Sequence, residues 1–117
     1  MASSVAQATP LDRVARAVAD PTRRRILHIV RDRELGAGEV AHHFTYLSRP
    51  AVSQHLRVLH DAQLITVRAE GNCRLYRARP EGLDEIREFV ESMWTDSLER
   101  LKIAAERAER SQRKRTT

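Results

Sequence analysis

One stretch constrains this 117-residue chain more than any other: Leu47-Ser48-Arg49-Pro50-Ala51-Val52-Ser53-Gln54-His55-Leu56-Arg57-Val58-Leu59. Proline has no backbone N–H, so a helix tolerates it in the first turn, where that N–H has no partner to lose. Ser48, just upstream, carries a hydroxyl that can accept from an orphan amide, and a helix is therefore expected from about residue 49 to about Ala62. Val52, Leu56 and Leu59 recur at i, i+4 and i+7 and share one apolar stripe. Arg49, Ser53, Gln54 and Arg57 fall largely off that stripe. Guanidinium, carboxamide and short hydroxyl groups pair with base edges and phosphates in a major groove. They also suit the solvated face of an ordinary amphipathic helix, so this stretch alone leaves both readings open.

The flanking residues narrow the choice. Thr9-Pro10-Leu11-Asp12 marks a helix start, and Leu11, Val14 and Val18 share its inner face. Asp20-Pro21 ends that helix and opens a second one, which turns Ile26, Leu27 and Val30 inward. Arg23, Arg24 and Arg25 crowd the positive end of this second helix, an awkward placement that a phosphate or solvent would relieve. Gly36-Ala37-Gly38 breaks the pattern. A short helix is expected from about Gly38 to Phe44, burying Val40, Ala41 and Phe44, with Thr45-Tyr46-Leu47 as the turn that follows. Two helices, a tight turn and a polar-faced second helix make a helix-turn-helix pattern.

Downstream, Leu64-Ile65-Thr66-Val67-Arg68 alternates as a strand does, Ala69-Glu70-Gly71-Asn72 supplies a turn, and Cys73 to Arg79 returns. This hairpin carries Arg68, Arg74, Arg77 and Arg79, and beside a helix-turn-helix it suits a wing lying along a minor groove or a phosphate backbone. A long helix is expected from about Pro80. Leu83, Ile86, Val90, Met93, Trp94, Ser97, Leu98 and Leu101 make a stripe of more than five turns, longer than a domain this small needs for its own core. The surplus is expected to lie against a second copy, with the first helix alongside. The fold expected is mainly α with a small β-hairpin, a winged helix-turn-helix dimerised through its first and last helices. Residues 1–8 are expected to be disordered, 9–103 to form the DNA-binding and dimerisation domain, and 104–117 to be a basic tail whose last dozen residues unravel.

Charge supports a polyanionic partner. The chain carries 21 basic and 16 acidic residues, a difference of +5, but its distribution says more. Residues 49–79 hold six arginines against Asp61 and Glu70, whereas residues 80–106 hold three basic against eight acidic groups. A polyanion is drawn to the middle of the chain. The single cysteine, Cys73, excludes an intrachain disulfide; its arginine neighbours favour a thiolate, but with no second cysteine to resolve an oxidised state a structural thiol is the simpler reading. No long apolar run or signal-like block occurs, so a cytoplasmic, nucleoid-associated protein without a membrane partner is expected.

Several of these motifs, in order and over roughly residues 10–103, resemble the ArsR family of bacterial winged-helix repressors. They are Ala17-Val18-Ala19-Asp20-Pro21-Thr22-Arg23-Arg24-Arg25-Ile26-Leu27, then Gly38-Glu39-Val40-Ala41, then Ser48 through Leu59. Arg77-Ala78-Arg79-Pro80-Glu81-Gly82-Leu83 and Trp94 look like the branch that lacks the metal sites. The resemblance implies a homodimeric repressor, often of its own operon, that binds an imperfect palindrome in double-stranded DNA. Positions matching the family's reading helix are Ser48, Arg49, Pro50, Ser53, Gln54 and Arg57. His55 matches a frequent family histidine, either a base contact or a mostly buried group. Arg68, Asn72 and Arg74 match the wing. Leu11, Val14, Val18, Ile86, Val90, Met93, Trp94, Leu98 and Leu101 are the expected dimer contacts.

No metal or other cofactor is expected. Where soft-metal sensors of the family carry Glu-Leu-Cys-Val-Cys, this chain has Glu34-Leu35-Gly36-Ala37-Gly38, without the thiolates that soft ions need. All five histidines precede residue 61, so the last helix offers only carboxylates, too few donors for tetrahedral zinc. No nucleophile–base constellation or glycine-rich phosphate loop occurs, so an enzyme is not expected. The alternative to a DNA-binding regulator is a winged-helix module that binds an acidic protein partner. Whether an inducer exists, small molecule or protein, is left open.

Overall fold

In a computed structural model that describes residues 8–116, three helices start where a capping side chain stands beside a proline. Helix α1 (Pro10–Val18) opens on Thr9, whose hydroxyl accepts from the Asp12 amide at 3.1 Å, while the Thr9 amide donates to the Asp12 carboxylate at 3.0 Å. That amide holds the Asp12 carboxyl below its ordinary value. Helix α2 (Pro21–Ile29) opens on Asp20, which accepts from the amides of Thr22 and Arg23 at 2.8 and 3.2 Å. After β1 (Leu35–Gly36) and α3 (Ala37–His42), helix α4 (Arg49–Asp61) opens on Ser48, which accepts from the Ala51 amide at 3.2 Å. Strands β2 (Ile65–Glu70) and β3 (Cys73–Ala78) follow, then a 3-10 turn over Pro80–Leu83, then α5 (Asp84–Thr116). The mainly α fold with a small antiparallel sheet is the winged helix expected from the sequence.

The sheet has one strand more than the hairpin pattern predicts. Its order is β1-β3-β2, with Leu35 opposite Tyr76 and Gly36 opposite Leu75. Two residues cannot show an alternating pattern, so Gly36-Ala37-Gly38 looks like a simple break in the sequence. Gly71, at φ 61°, and Asn72 form the two-residue turn between β2 and β3, with positive φ at the first position, where glycine is favoured.

Residues up to Ile86 form one unit with a single aliphatic core. Val14 and Ala17 of α1, Ile26 of α2, Val40 of α3, and Val52, Leu56 and Leu59 of α4 meet there, with Phe44 from the helix-turn-helix turn. Phe44 lies beyond the end of α3 rather than on it, and Ala41 is only half-buried.

Helix α4 ends in a Schellman motif: the Leu64 amide donates to the Leu59 carbonyl and the Gln63 amide to that of His60, both at 2.9 Å. The residue between cap and strand takes the left-handed conformation usual for glycine, yet here it is Gln63, at φ 60°. Its carbonyl lies against Gly82 of the 3-10 turn so closely that an added Cβ would stand 2.3 Å from the oxygen.

The second unit, from Arg87 on, is the remainder of α5. The α-helix starts at Asp84, after the 3-10 turn, rather than at Pro80. It does not unravel over the last dozen residues as expected but continues to Thr116. Ala104, Ala105 and Ala108 are strong helix formers, and Glu106 with Arg110 and Glu109 with Arg113 have the favourable i, i+4 order. The disorder expected over residues 1–8 falls, Ala8 apart, outside the described residues.

Candidate nucleic-acid interface

The buried stripe of α4 fixes which of its residues face outward. With Val52, Leu56 and Leu59 in the core, Ser48, Arg49, Pro50, Ser53, Gln54 and Arg57 are all exposed. Arg49, Ser53 and Arg57 follow one another at four-residue steps, so their side chains stand one above the next on a single face. Arg49 also leans back across α3, where an added Cβ on Gly38 would meet its guanidinium at 3.4 Å.

The wing adds to this face through one side of the β2–β3 ladder. Val67 is opposite Tyr76 and Ala69 is opposite Arg74, so these four share a side. Val67, Arg74 and Tyr76 line a groove of about 400 Å³ with Ser53, Leu56, Arg57 and His60 of α4. Arg57 and Arg74 therefore flank one channel from two elements, as required to neutralise phosphates on one strand. His60, absent from the sequence-derived set, lies three residues after Arg57 and seven after Ser53. That spacing alone could have placed it on the same face.

Two expected contacts are corrected. Arg68 lies opposite Leu75, on the other side of the ladder from Arg74. It forms ion pairs with Glu34 at 2.7 Å and Glu70 at 3.1 Å. The hydrogen bond from Arg68 holds the Glu34 carboxyl below its ordinary value, and the same contact raises the Arg68 guanidinium. Arg68 is thus already neutralised by its own chain. His55 is half-buried, and its Nδ1 stands 3.3 Å from a guanidinium nitrogen of Arg23, so it faces α2 and leaves the reading face. Asn72 stays exposed at the wing tip. Cys73 is exposed there too.

The three arginines of α2 each have a partner within the chain, although Arg24 and Arg25 stay exposed. Arg23 donates to the carbonyls of Ala17 at 2.7 Å and Arg16 at 2.9 Å, and Arg24 to that of Val18 at 2.7 Å. These carbonyls form the negative end of α1, which offsets the positive start of α2. Arg25 lies over the Phe44 ring, 5.3 Å from its centre. At Asp20 burial raises the carboxyl, but the amides of Arg23 and Thr22 outweigh it and hold the group below its ordinary value.

Among the expected dimer contacts, Val14 is buried in the core of its own chain and is withdrawn as an interface residue. Leu11, Val18 and Ile86 are half-buried. Val90, Met93, Trp94, Leu98 and Leu101 are exposed on α5. Phe89, outside the stripe of expected contacts, is exposed four residues before Met93. Among the described residues no group of three or more His, Cys, Asp or Glu is placed to hold a metal ion, and no helix is long and apolar enough to cross a membrane.

Known proteins resemble this chain in sequence and fold. Residues 20–67 match the family model described as bacterial regulatory protein, arsR family. The chain is 42% identical over 87 residues to the HTH-type transcriptional regulator Rv2034 of Mycobacterium tuberculosis, covering 74% of this chain and 80% of that one. It is 36% identical over 66 residues to the transcriptional repressor SdpR of Bacillus subtilis, covering 56% and 72%. A crystal structure described as a possible transcriptional regulator for arsenical resistance superposes with a TM-score of 0.61 at 44% identity, covering 74% of this chain and 88% of that one.

Proposed function

The chain belongs to the arsR family of bacterial regulatory proteins, DNA-binding transcriptional regulators and not enzymes, and from that premise we propose that it is a homodimeric repressor reading an imperfect palindrome through α4 and the wing, without a metal ion. The observation that carries this reading is the groove in which Ser53 and Arg57 of α4 meet Arg74 of β3. Arg57, Arg74 and Arg49 neutralise phosphates and release counterions, while Gln54 pairs with a base edge. Ser48, Pro50 and Ser53 hold the start of the helix against the backbone, and Asn72 carries the wing tip toward it.

Two copies of this surface match the two halves of a palindrome. The second copy covers Val90, Met93, Trp94, Leu98 and Leu101 of α5, with Leu11, Val18 and Ile86 contributing. Independence from metal is supported by glycine at positions 36 and 38 and by the Arg49 guanidinium lying against Gly38, where a cation would be repelled. Repression is supported by the likeness to a named repressor.

The test is a gel shift of the full chain on its own upstream DNA and on scrambled DNA at moderate salt, with sedimentation to establish the dimer. A shift of the upstream fragment only, insensitive to chelator, is the expected result. A stable dimer that prefers neither DNA would favour the acidic protein partner instead.

A further inference from the structure

A second concavity lies within the first unit, apart from the groove between α4 and the wing; it shares Val18 and Ile86 with the proposed dimer contacts. It has a volume of about 460 Å³, and Val18, Leu27, Leu83 and Ile86 line it, with an edge of the otherwise buried Leu64 at its floor. Pockets for small molecules span roughly 300–1,000 Å³ and are mostly apolar with a few placed polar groups. The titratable residues at this pocket are all basic: Arg24, His28, Arg31 and Arg79. Arg31 pairs with Asp32 at 3.4 Å, and Arg79 lies 4.0 Å from Glu81 while donating to the Gln63 carbonyl at 3.1 Å. Arg24 differs. One nitrogen is anchored on the Val18 carbonyl at 2.7 Å, and no carboxylate lies within ion-pair distance among the described residues.

A purely apolar occupant leaves that guanidinium unmatched, and a small anion leaves the apolar wall in water. We propose that the cavity binds an amphipathic monoanion, an apolar chain or ring bearing one carboxylate. The tail lies on Val18, Leu27 and Leu83, over the buried Leu64, and the head on Arg24. Leu64 directly follows the Schellman end of α4, and Ile86, also in the wall, stands at the root of α5. An occupant therefore touches the segments that end the DNA-facing helix and begin the long one. That regulatory consequence rests on the DNA-binding reading; the site itself does not.

Decanoate is the probe, titrated calorimetrically into the full chain without DNA, against decanol (the same chain, uncharged) and acetate (the head alone). The expected result is saturable binding of one decanoate per chain and none of acetate. Arg24→Gln weakens decanoate about fivefold to tenfold, the worth of one charged hydrogen bond, and leaves decanol within about twofold. Arg24→Lys, which keeps the charge, retains most of the affinity and shows that loss in the glutamine variant is not loss of fold. Leu83→Glu, at a position 40% exposed in the free chain, removes binding of both ligands. Decanoate binding no tighter than acetate, or unmoved by Arg24→Gln, overturns the proposal. So does binding confined to a monomeric fraction in sedimentation, because a second copy of the chain would then fill the cavity. With no DNA present, a negative result here leaves the DNA reading standing, and a failed gel shift leaves a positive result here standing.

Discussion

Helices α4 and α5 carry the same kind of apolar stripe, and the chain treats them differently. Val52, Leu56 and Leu59 of α4 are 1%, 2% and 0% exposed, whereas Met93, Trp94 and Leu101 of α5 are 63%, 60% and 65% exposed. A spacing of 3.6 residues says that a face is apolar and nothing about what covers it. Length separates the two. Helix α4 has 13 residues and is covered by a core that closes without α5 beyond Ile86; α5 has 33. The first stripe holds the reading face in place by burying its back. The second is left exposed along α5 and, under the proposed dimer, would set how many such faces act together.

The sharpest way to break this contrast is to truncate one residue of each stripe. Leu56→Ala should cost about 2–5 kcal/mol of folding stability in urea melts, as buried leucines do. Leu98→Ala should change the melt of a dilute sample by no more than about 0.5 kcal/mol, yet move self-association in sedimentation to higher concentration. Equal losses of stability would show that α5 is part of the same core.

Gly82→Ala tests the join between the end of α4 and the 3-10 turn. The added Cβ would meet the Gln63 carbonyl at 2.3 Å, so backbone must move, at a cost of about 1–3 kcal/mol. An unchanged melting curve would mean that this contact is not close in solution.

On the exposed side of α4, Gln54→Ala should cost about 1–3 kcal/mol of operator affinity and relax sequence preference. Arg74→Ala should weaken binding to every sequence and lower the salt slope by about one per site. Equal loss on operator and random DNA would remove Gln54 from the reading set.

Gln63→Gly should stabilise the body by about 0.5–1 kcal/mol by relieving a left-handed non-glycine residue. A lower melting temperature would show that the Gln63 side chain contributes more than its backbone costs.

The smallest effect concerns pH. The Asp20 carboxyl is held below its ordinary value in the folded chain, so its stabilisation is present above the unfolded value of 3.8 and is lost as pH falls through the folded value. Asp20→Asn keeps the cap without the titration, and should make the fall in melting temperature between about pH 5 and pH 2 shallower. A parallel fall in both proteins would assign the acid sensitivity elsewhere, with Asp12 and Glu34, also held low, as the next candidates.

The starts of α1, α2 and α4 were legible because each is written twice, as a capping side chain and as a proline. The reading helix was legible because its apolar stripe leaves one polar face and no other. What stayed hidden was set by partners distant in sequence. β1 is too short for a pattern and exists only through its pairing with β3. The fate of Arg23 and Arg24 depends on carbonyls of the preceding helix, which no count of charges reveals. The side taken by Arg68 was within reach, since a two-residue turn at Gly71-Asn72 puts positions 68 and 74 on opposite faces, an alternation that a count of the wing's arginines does not carry.

Arg23 ties together elements far apart in the chain. Its guanidinium touches two carbonyls at the end of α1 and, through His55, the rear of α4. It works as a strut between the chain's opening helix and its reading helix. A pull on α1 that strips the guanidinium of its acceptors would also loosen its hold on His55, so a load applied at one end of the body would reach the back of α4.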